Sequence, residues 1–223
     1  MNILEIKDVN IRYKNREILK NINIDILKNE IVCIMGQSGC GKSTLLSLIN
    51  GFLKENEGEY TGKIFFKGKD MSLMKLIEIR RSISTLFQDS EPFPLSVEKN
   101  ILYPIEFYEG KIKDRRERVE KYLKAVNLYD ELKDNFKMPA VNLSGGQKQR
   151  LCIARMLTTS PDILILDEPC SSLDIENSII IENLIKELSE KYTIILTTHN
   201  IEQAERLADR RIFIDKSKQT IRI

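Results

Sequence analysis

Two contrasting apolar patterns, with a proline-punctuated segment set between them, give this chain an α/β fold. Leu4 to Ile11 and Ile22 to Ile26 alternate apolar with polar residues, as antiparallel strands with one face in water do. Ile31 to Met35 (IVCIM), Ile163 to Leu166 (ILIL) and Thr193 to Leu196 (TIIL) are unbroken apolar runs instead. Such runs suit parallel strands covered by helices on both faces. An N-terminal antiparallel β subdomain and a parallel-sheet core are therefore expected.

In chain order, the antiparallel strands come first and IVCIM opens the core. Ser43 to Leu53 carries no charge and reads as a helix, and Ile83 to Phe87 as a further strand. Pro92, Pro94 and Pro104 punctuate the next segment, after which Val119, Tyr122, Leu123 and Val126 recur at helical spacing within Lys113 to Val126. Lys148 to Leu157 repeats that spacing, so residues 89–158 read as an inserted, mainly α-helical subdomain. Ile179 to Leu188 and Gln203 to Ala208 predict helices around the last parallel run. Residues 1–223 form one domain in this reading, with 1–88 and 159–223 as its core.

Composition bounds the function. The chain has 223 residues, 42% of them hydrophobic, enough for a substantial core. Its 35 Lys+Arg against 33 Asp+Glu give a net charge of +2, so no global attraction draws it to nucleic acid. The basic stretch Lys111 to Lys124 reads as a solvated helix face. The longest stretches without a charge, Ile31 to Gly41 and Ser43 to Leu53, hold 11 residues each. A membrane-spanning helix needs roughly 18 or more. The start, MNILEIKDVN, lacks the apolar run of a secretory signal, and a cytoplasmic location is expected. Cys33, Cys40, Cys152 and Cys170 form no C-x-x-C pair and there is a single histidine, so reduced thiols are expected rather than a zinc site.

Three segments carry chemistry. Gly36-Gln37-Ser38-Gly39-Cys40-Gly41-Lys42-Ser43, followed by Thr44, matches G-x-x-x-x-G-K-[ST] between a strand and a helix. The glycines let backbone N–H groups turn around phosphates, Lys42 reaches the outer phosphates and Ser43 offers a hydroxyl to Mg²⁺. Cys40 sits beside a helix start and Lys42, which favours a thiolate that nucleotide would cover; the alternative is a buried, inert thiol. Asp167 and Glu168 end the ILIL strand, where one carboxylate can serve Mg²⁺ and the next can orient an attacking water. Leu143-Ser144-Gly145-Gly146-Gln147 opens another helix behind a glycine pair, with Ser144 as its N-cap, and makes a second anion-binding helix start. Two cradles and one phosphate loop suggest a head-to-tail pair with a second copy of the chain, closed by two-fold symmetry.

In combination, and in this order, these motifs resemble the ATP-binding subunit of an ABC transporter over nearly the whole chain. The resemblance implies a P-loop NTPase (RecA-like) core. It makes GQSGCGKST the Walker A motif, Gln88 in LFQD the Q-loop glutamine that senses Mg²⁺ and the γ-phosphate, and LSGGQ the signature. ILILDEP becomes Walker B, Asp174 in SSLD the D-loop aspartate, His199 the γ-phosphate histidine, and Tyr13 the aromatic that stacks on adenine. Glu91 to Asn100, Leu128 to Asp134, Gln149 to Arg155 and Thr198 to Arg206 are similar to the phosphate-import ATPases. Glu91 stands where that group commonly has Asn, and DKSKQTIRI lacks its usual glycine turn.

That resemblance implies hydrolysis of MgATP by a homodimer bound to the cytoplasmic side of the membrane through separate permease subunits. A substrate-binding protein would act indirectly, and inorganic phosphate would be the imported ion. Pro92, Phe93 and Pro94 are the expected permease-docking residues, or else a rigid turn. Transport of another substrate, or a soluble ABC ATPase that needs no permease, shares every ATP motif. A P-loop kinase or GTPase has no use for LSGGQ.

Overall fold

The computed structural model describes residues 1–14, 16–217 and 219–222. Lys218 and Ile223, within the last segment quoted above, lie outside the described residues. Strands β1 (Asn2–Tyr13), β2 (Arg16–Leu27), β4 (Gly58–Phe66) and β5 (Lys69–Asp70) form an antiparallel sheet in the order β2-β1-β4-β5. The second sheet contains β3 (Ile31–Met35), β6 (Ile83–Leu86), β7 (Ile163–Asp167), β8 (Thr193–Thr197), β9 (Arg210–Asp215) and β10 (Thr220–Arg222). Its order is β10-β9-β3-β8-β7-β6, parallel throughout except for the antiparallel β9-β10 hairpin.

The unbroken apolar runs are explained by the two faces they serve. Val32 and Ile34 of β3, Ile163 and Ile165 of β7 and Ile195 of β8 pack towards α1 (Lys42–Ile49) and the antiparallel sheet. Cys33, Met35, Leu164, Leu166, Ile194 and Leu196 point to the opposite face. There they meet α3 (Val97–Glu109), α4 (Arg115–Lys124), α6 (Gly145–Leu157), α7 (Ile175–Ser189) and α8 (Ile201–Leu207). With both faces covered, the interior positions of these strands favour apolar side chains, since burying each large aliphatic one contributes about 1.5–3 kcal/mol.

Several elements differ from the sequence reading. The first helix stops at Ile49, because Gly51 takes a left-handed φ of 76° and turns the chain back towards β4. Pro104 lies inside α3 rather than breaking the segment. The helix over Lys113 to Val126 is confined to Arg115–Lys124. Strands β4, β9 and β10, and helix α2 (Leu76–Ser82), have no counterpart in that reading. Between β6 and β7 the chain forms α3, α4, the short α5 (Tyr129–Leu132) and α6. On α4, Arg115, Arg116 and Arg118 pair with Glu106, Glu120 and Glu109 respectively, so this basic stretch is largely charge-matched at its surface.

Candidate nucleotide site

Three strand ends and one helix start converge on a cleft of about 440 Å³. Its walls include Ser38, Gly39, Gly41, Lys42, Ser43 and Thr44 from the loop after β3, Gln88 after β6, Asp167 and Glu168 at the end of β7, and His199 after β8. This is the carboxyl edge of a parallel sheet, where open α/β proteins bind ligands.

The loop is shaped by its glycines. Gly39 (φ 70°) and Gly41 (φ 111°) adopt left-handed conformations that L side chains rarely take. A Cβ on Gly36 would lie 2.6 Å from the Cys40 sulfur and 2.9 Å from the Ile214 carbonyl oxygen, so only hydrogen fits there. Helix α1 begins with no side-chain cap and no acidic residue in its first turn. Its leading N–H groups and positive dipole end therefore remain available to an anion. Lys42 folds back, donating from Nζ to the Gly36 carbonyl at 2.9 Å.

The carboxylates are held by β8. In the parallel register Asp167 lies opposite Thr197, whose hydroxyl donates to Asp167 Oδ1 at 2.5 Å. The Thr197 hydroxyl oxygen also accepts from the Glu168 N–H at 3.0 Å, as does the Thr197 carbonyl at 3.2 Å. These bonds fix Glu168 at φ 50°, a left-handed conformation that costs a non-glycine residue about 1–3 kcal/mol. The Glu168 side chain is mostly covered, and its Oε2 lies 2.9 Å from Nδ1 of the exposed His199 ring. Thr197 escaped the sequence reading; its only signal was a hydroxyl at the end of an aliphatic strand, one strand over from Asp167.

The remaining candidates lie elsewhere. Ser144 and Gln147 close a capping box: Ser144 Oγ accepts from the Gln147 N–H at 3.3 Å, and Gln147 Oε1 accepts from the Ser144 N–H at 3.0 Å. Neither residue lines the cleft. Gly146 packs so closely on α7 that a Cβ there would stand 2.0 Å from Asn177 Oδ1. Asn177 in turn donates from Nδ2 to Asp174, which caps α7 by accepting the Asn177 N–H, both at 2.8 Å. The SSLD and LSGGQ turns are thus neighbours, joined through Asn177. Bonds from Asn177 also hold the Asp174 carboxyl below its usual range.

Tyr13 packs against Gly58, where a Cβ would come within 2.9 Å of its ring, while Arg16 and Ile18 line the cleft wall. Two expectations need correction. Cys40 is 3% exposed and turned against Gly36, so its thiol is withdrawn from the cleft. Pro92 is buried, leaving only Phe93 and Pro94 exposed in the proposed docking turn. Burial pushes the Cys33 thiol up to about 12 and the Cys152 and Cys170 thiols up to about 11.

The chain is similar to known proteins along most of its length. A match to the family described as ABC transporter spans residues 19–171. The phosphate import ATP-binding protein PstB 1 of Bacillus licheniformis is 43% identical over 216 residues, covering 95% of this chain and 83% of that protein. PstB of Corynebacterium glutamicum is 39% identical over 218 residues, covering 96% and 85%. Among solved structures, CbiO1 of Clostridium perfringens, part of the ABC transporter complex cbiONQ, superposes with a TM-score of 0.85 at 30% identity, covering 100% of this chain and 87% of that one. A dimeric ATP-binding cassette in a post-hydrolysis state with ADP and Pi gives 0.81 at 31% identity, covering 99% and 97%. With these likenesses spanning its length and a phosphate loop, paired carboxylates and a histidine lining one cleft, the chain belongs to the ABC transporter family as a nucleotide-binding ATPase subunit.

Proposed function

We infer that this ATPase energises import of inorganic phosphate through separate membrane permease subunits. The observation that carries the ATPase chemistry is the grouping of Lys42, Ser43, Gln88, Asp167, Glu168 and His199 around one cleft. The phosphate assignment rests on the PstB relatives and on the four sequence segments that resemble their group.

The Ser43 hydroxyl, the Asp167 carboxylate and the Gln88 amide oxygen are hard donors, which fit Mg²⁺ with phosphate oxygens and water completing its shell. Bound there, the ion would neutralise charge on the β- and γ-phosphates. Lys42 leaves the Gly36 carbonyl for the outer phosphates, while the N–H groups of residues 36–44 cradle the rest. Glu168 accepts a proton from water attacking the γ-phosphorus, and His199 contacts the γ-phosphate. Ser144, Gly145, Gly146 and Gln147 of a second copy, with its Asp174, close the other side, since none of them lines its own cleft. Hydrolysis removes the γ-phosphate that joins the halves, so the dimer opens. In this reading residues 89–158 form the helical subdomain that carries the signature.

Permease docking falls to Phe93 and its surroundings. The ring lies edge-on to exposed Tyr103 at 5.7 Å and beneath the Arg155 guanidinium at 4.1 Å, while Asn100 clamps its backbone N–H and carbonyl. Among the described residues no helix is long and apolar enough to cross a membrane, which suits a peripheral subunit on the cytoplasmic side. The assembled complex, with permease and substrate-binding protein, should hydrolyse ATP several-fold faster when the binding protein carries phosphate. Equal stimulation by sulfate-loaded or molybdate-loaded carriers would exclude phosphate import.

A further inference from the structure

Lys216 lies in the turn between β9 and β10, more than 170 residues from the phosphate loop in sequence, yet its Nζ donates to the Ser38 carbonyl at 3.1 Å. The same ammonium stands 3.7 Å from where a Gly39 Cβ would be. Ser38 and Gly39 line the cleft and Lys216 does not, so its ammonium supports the loop from outside the cleft.

The turn that presents Lys216 is pinned at several points. Asp215 Oδ1 accepts from the Ser217 N–H at 3.0 Å and from its hydroxyl at 2.7 Å, and Arg222 donates to Asp215 Oδ2 at 3.3 Å. Gln219 donates from Nε2 to the Glu17 carbonyl, and the Lys20 N–H donates to the Gln219 carbonyl, each at 2.7 Å. Upstream, the Ile214 carbonyl fills the space beside Gly36. The hairpin is therefore braced against both β2 and the start of the loop.

We propose that Lys216 is a positioning residue for nucleotide binding, acting through the Ser38–Gly39 peptide. That peptide is trans, so its carbonyl and N–H point in opposite directions. Holding the Ser38 oxygen on the outer side turns the Gly39 N–H to the inner side, where phosphate oxygens accept it. Without the ammonium, the glycine at φ 70° is free to let this peptide rotate, and one donor of the cradle is lost. The inference rests on reading the cleft as the nucleotide site.

The test compares wild type, Lys216→Met and Lys216→Arg for MgATP affinity, steady-state ATPase kinetics and thermal unfolding without nucleotide. Lys216→Met is expected to weaken MgATP binding and raise KM about tenfold at little-changed kcat, since the Gly39 N–H serves ground state and transition state alike. Lys216→Arg, which keeps the charge and a donor, should stay within about twofold of wild type, and all three should melt together. Wild-type affinity in Lys216→Met overturns the inference while leaving the nucleotide site intact. Loss of affinity with a matching fall in melting temperature, unrelieved by arginine, also overturns it by reducing Lys216 to a structural prop. Failure of the wild-type chain to bind MgATP removes the underlying reading as well.

Discussion

The left-handed backbone of Glu168 is the point at which a single residue carries the most consequence. A β-region residue following Asp167 would direct its side chain to one face of the sheet; at φ 50° the Glu168 side chain instead meets His199, at 2.9 Å. The Glu168 N–H, shared between the hydroxyl and carbonyl oxygens of Thr197, offsets the strain. Glu168→Gln keeps this shape and removes the proton acceptor. It should bind MgATP as wild type does, while turnover falls about 10²–10⁴-fold. Phosphate release and nucleotide binding on the same preparation measure both; turnover near the wild-type rate would exclude Glu168 as the catalytic carboxylate.

Between elements, a polar clasp joins α7 to α8. The buried Glu182 carboxylate accepts two bonds from Arg206, at 2.8 and 2.9 Å, and one from Gln203 at 3.2 Å. The guanidinium, helped by Gln203 and opposed by desolvation, holds the Glu182 carboxyl below the usual carboxylate range. A folded-state pKa below the unfolded value stabilises fully above the ordinary glutamate range, about 4.3, and the gain is lost as pH falls through the folded value. Glu182→Gln should therefore unfold at lower urea than wild type at pH 7, and the gap should narrow steadily towards pH 3. A gap independent of pH would show that the clasp acts through packing alone. The same scale explains what the sequence could and could not disclose. IVCIM, ILIL and TIIL are legible because a strand covered on both faces selects a nearly unbroken apolar run. Helix α3 was hidden by Pro104, whose interior position costs roughly 3 kcal/mol in isolation. Burial of Val97, Ile101, Leu102 and Ile105 outweighs that term, and such burial is tertiary information. Strand β4 is equally obscure: Glu59, Lys63 and two glycines blur its alternation, and pairing with β1 determines it. In the site, the linear motifs were readable because backbone geometry fixes their spacing. The packing of Tyr13 on Gly58 is not legible, because alternation along a strand does not say which neighbour lacks a side chain.

For the whole molecule, the proposed dimer has the Ser144 turn of one chain complete the phosphate cleft of the other, which would make activity a property of two chains. Lys42→Ala disables one surface of a composite site and Ser144→Arg the other. Each variant alone should be inactive, whereas an equal mixture should recover about a quarter of wild-type ATPase activity, if pairing is random and sites turn over independently. No recovery, with both variants folded and pairing demonstrated by crosslinking, would contradict shared sites. A consequence of another kind lies in the sheet order. Among the described strands, β3, which launches the phosphate loop, has β8 and β9 as its ladder neighbours. Its register places Ile31 beside Ile194 and Val32 beside Arg210, partners more than 160 residues away. During synthesis the loop emerges early on a strand with no neighbour, and it acquires a scaffold only when the final segment leaves the ribosome. Chains truncated before residue 193 lack both ladder neighbours of the strand that launches the phosphate loop, and should therefore fail to assemble an ATP site.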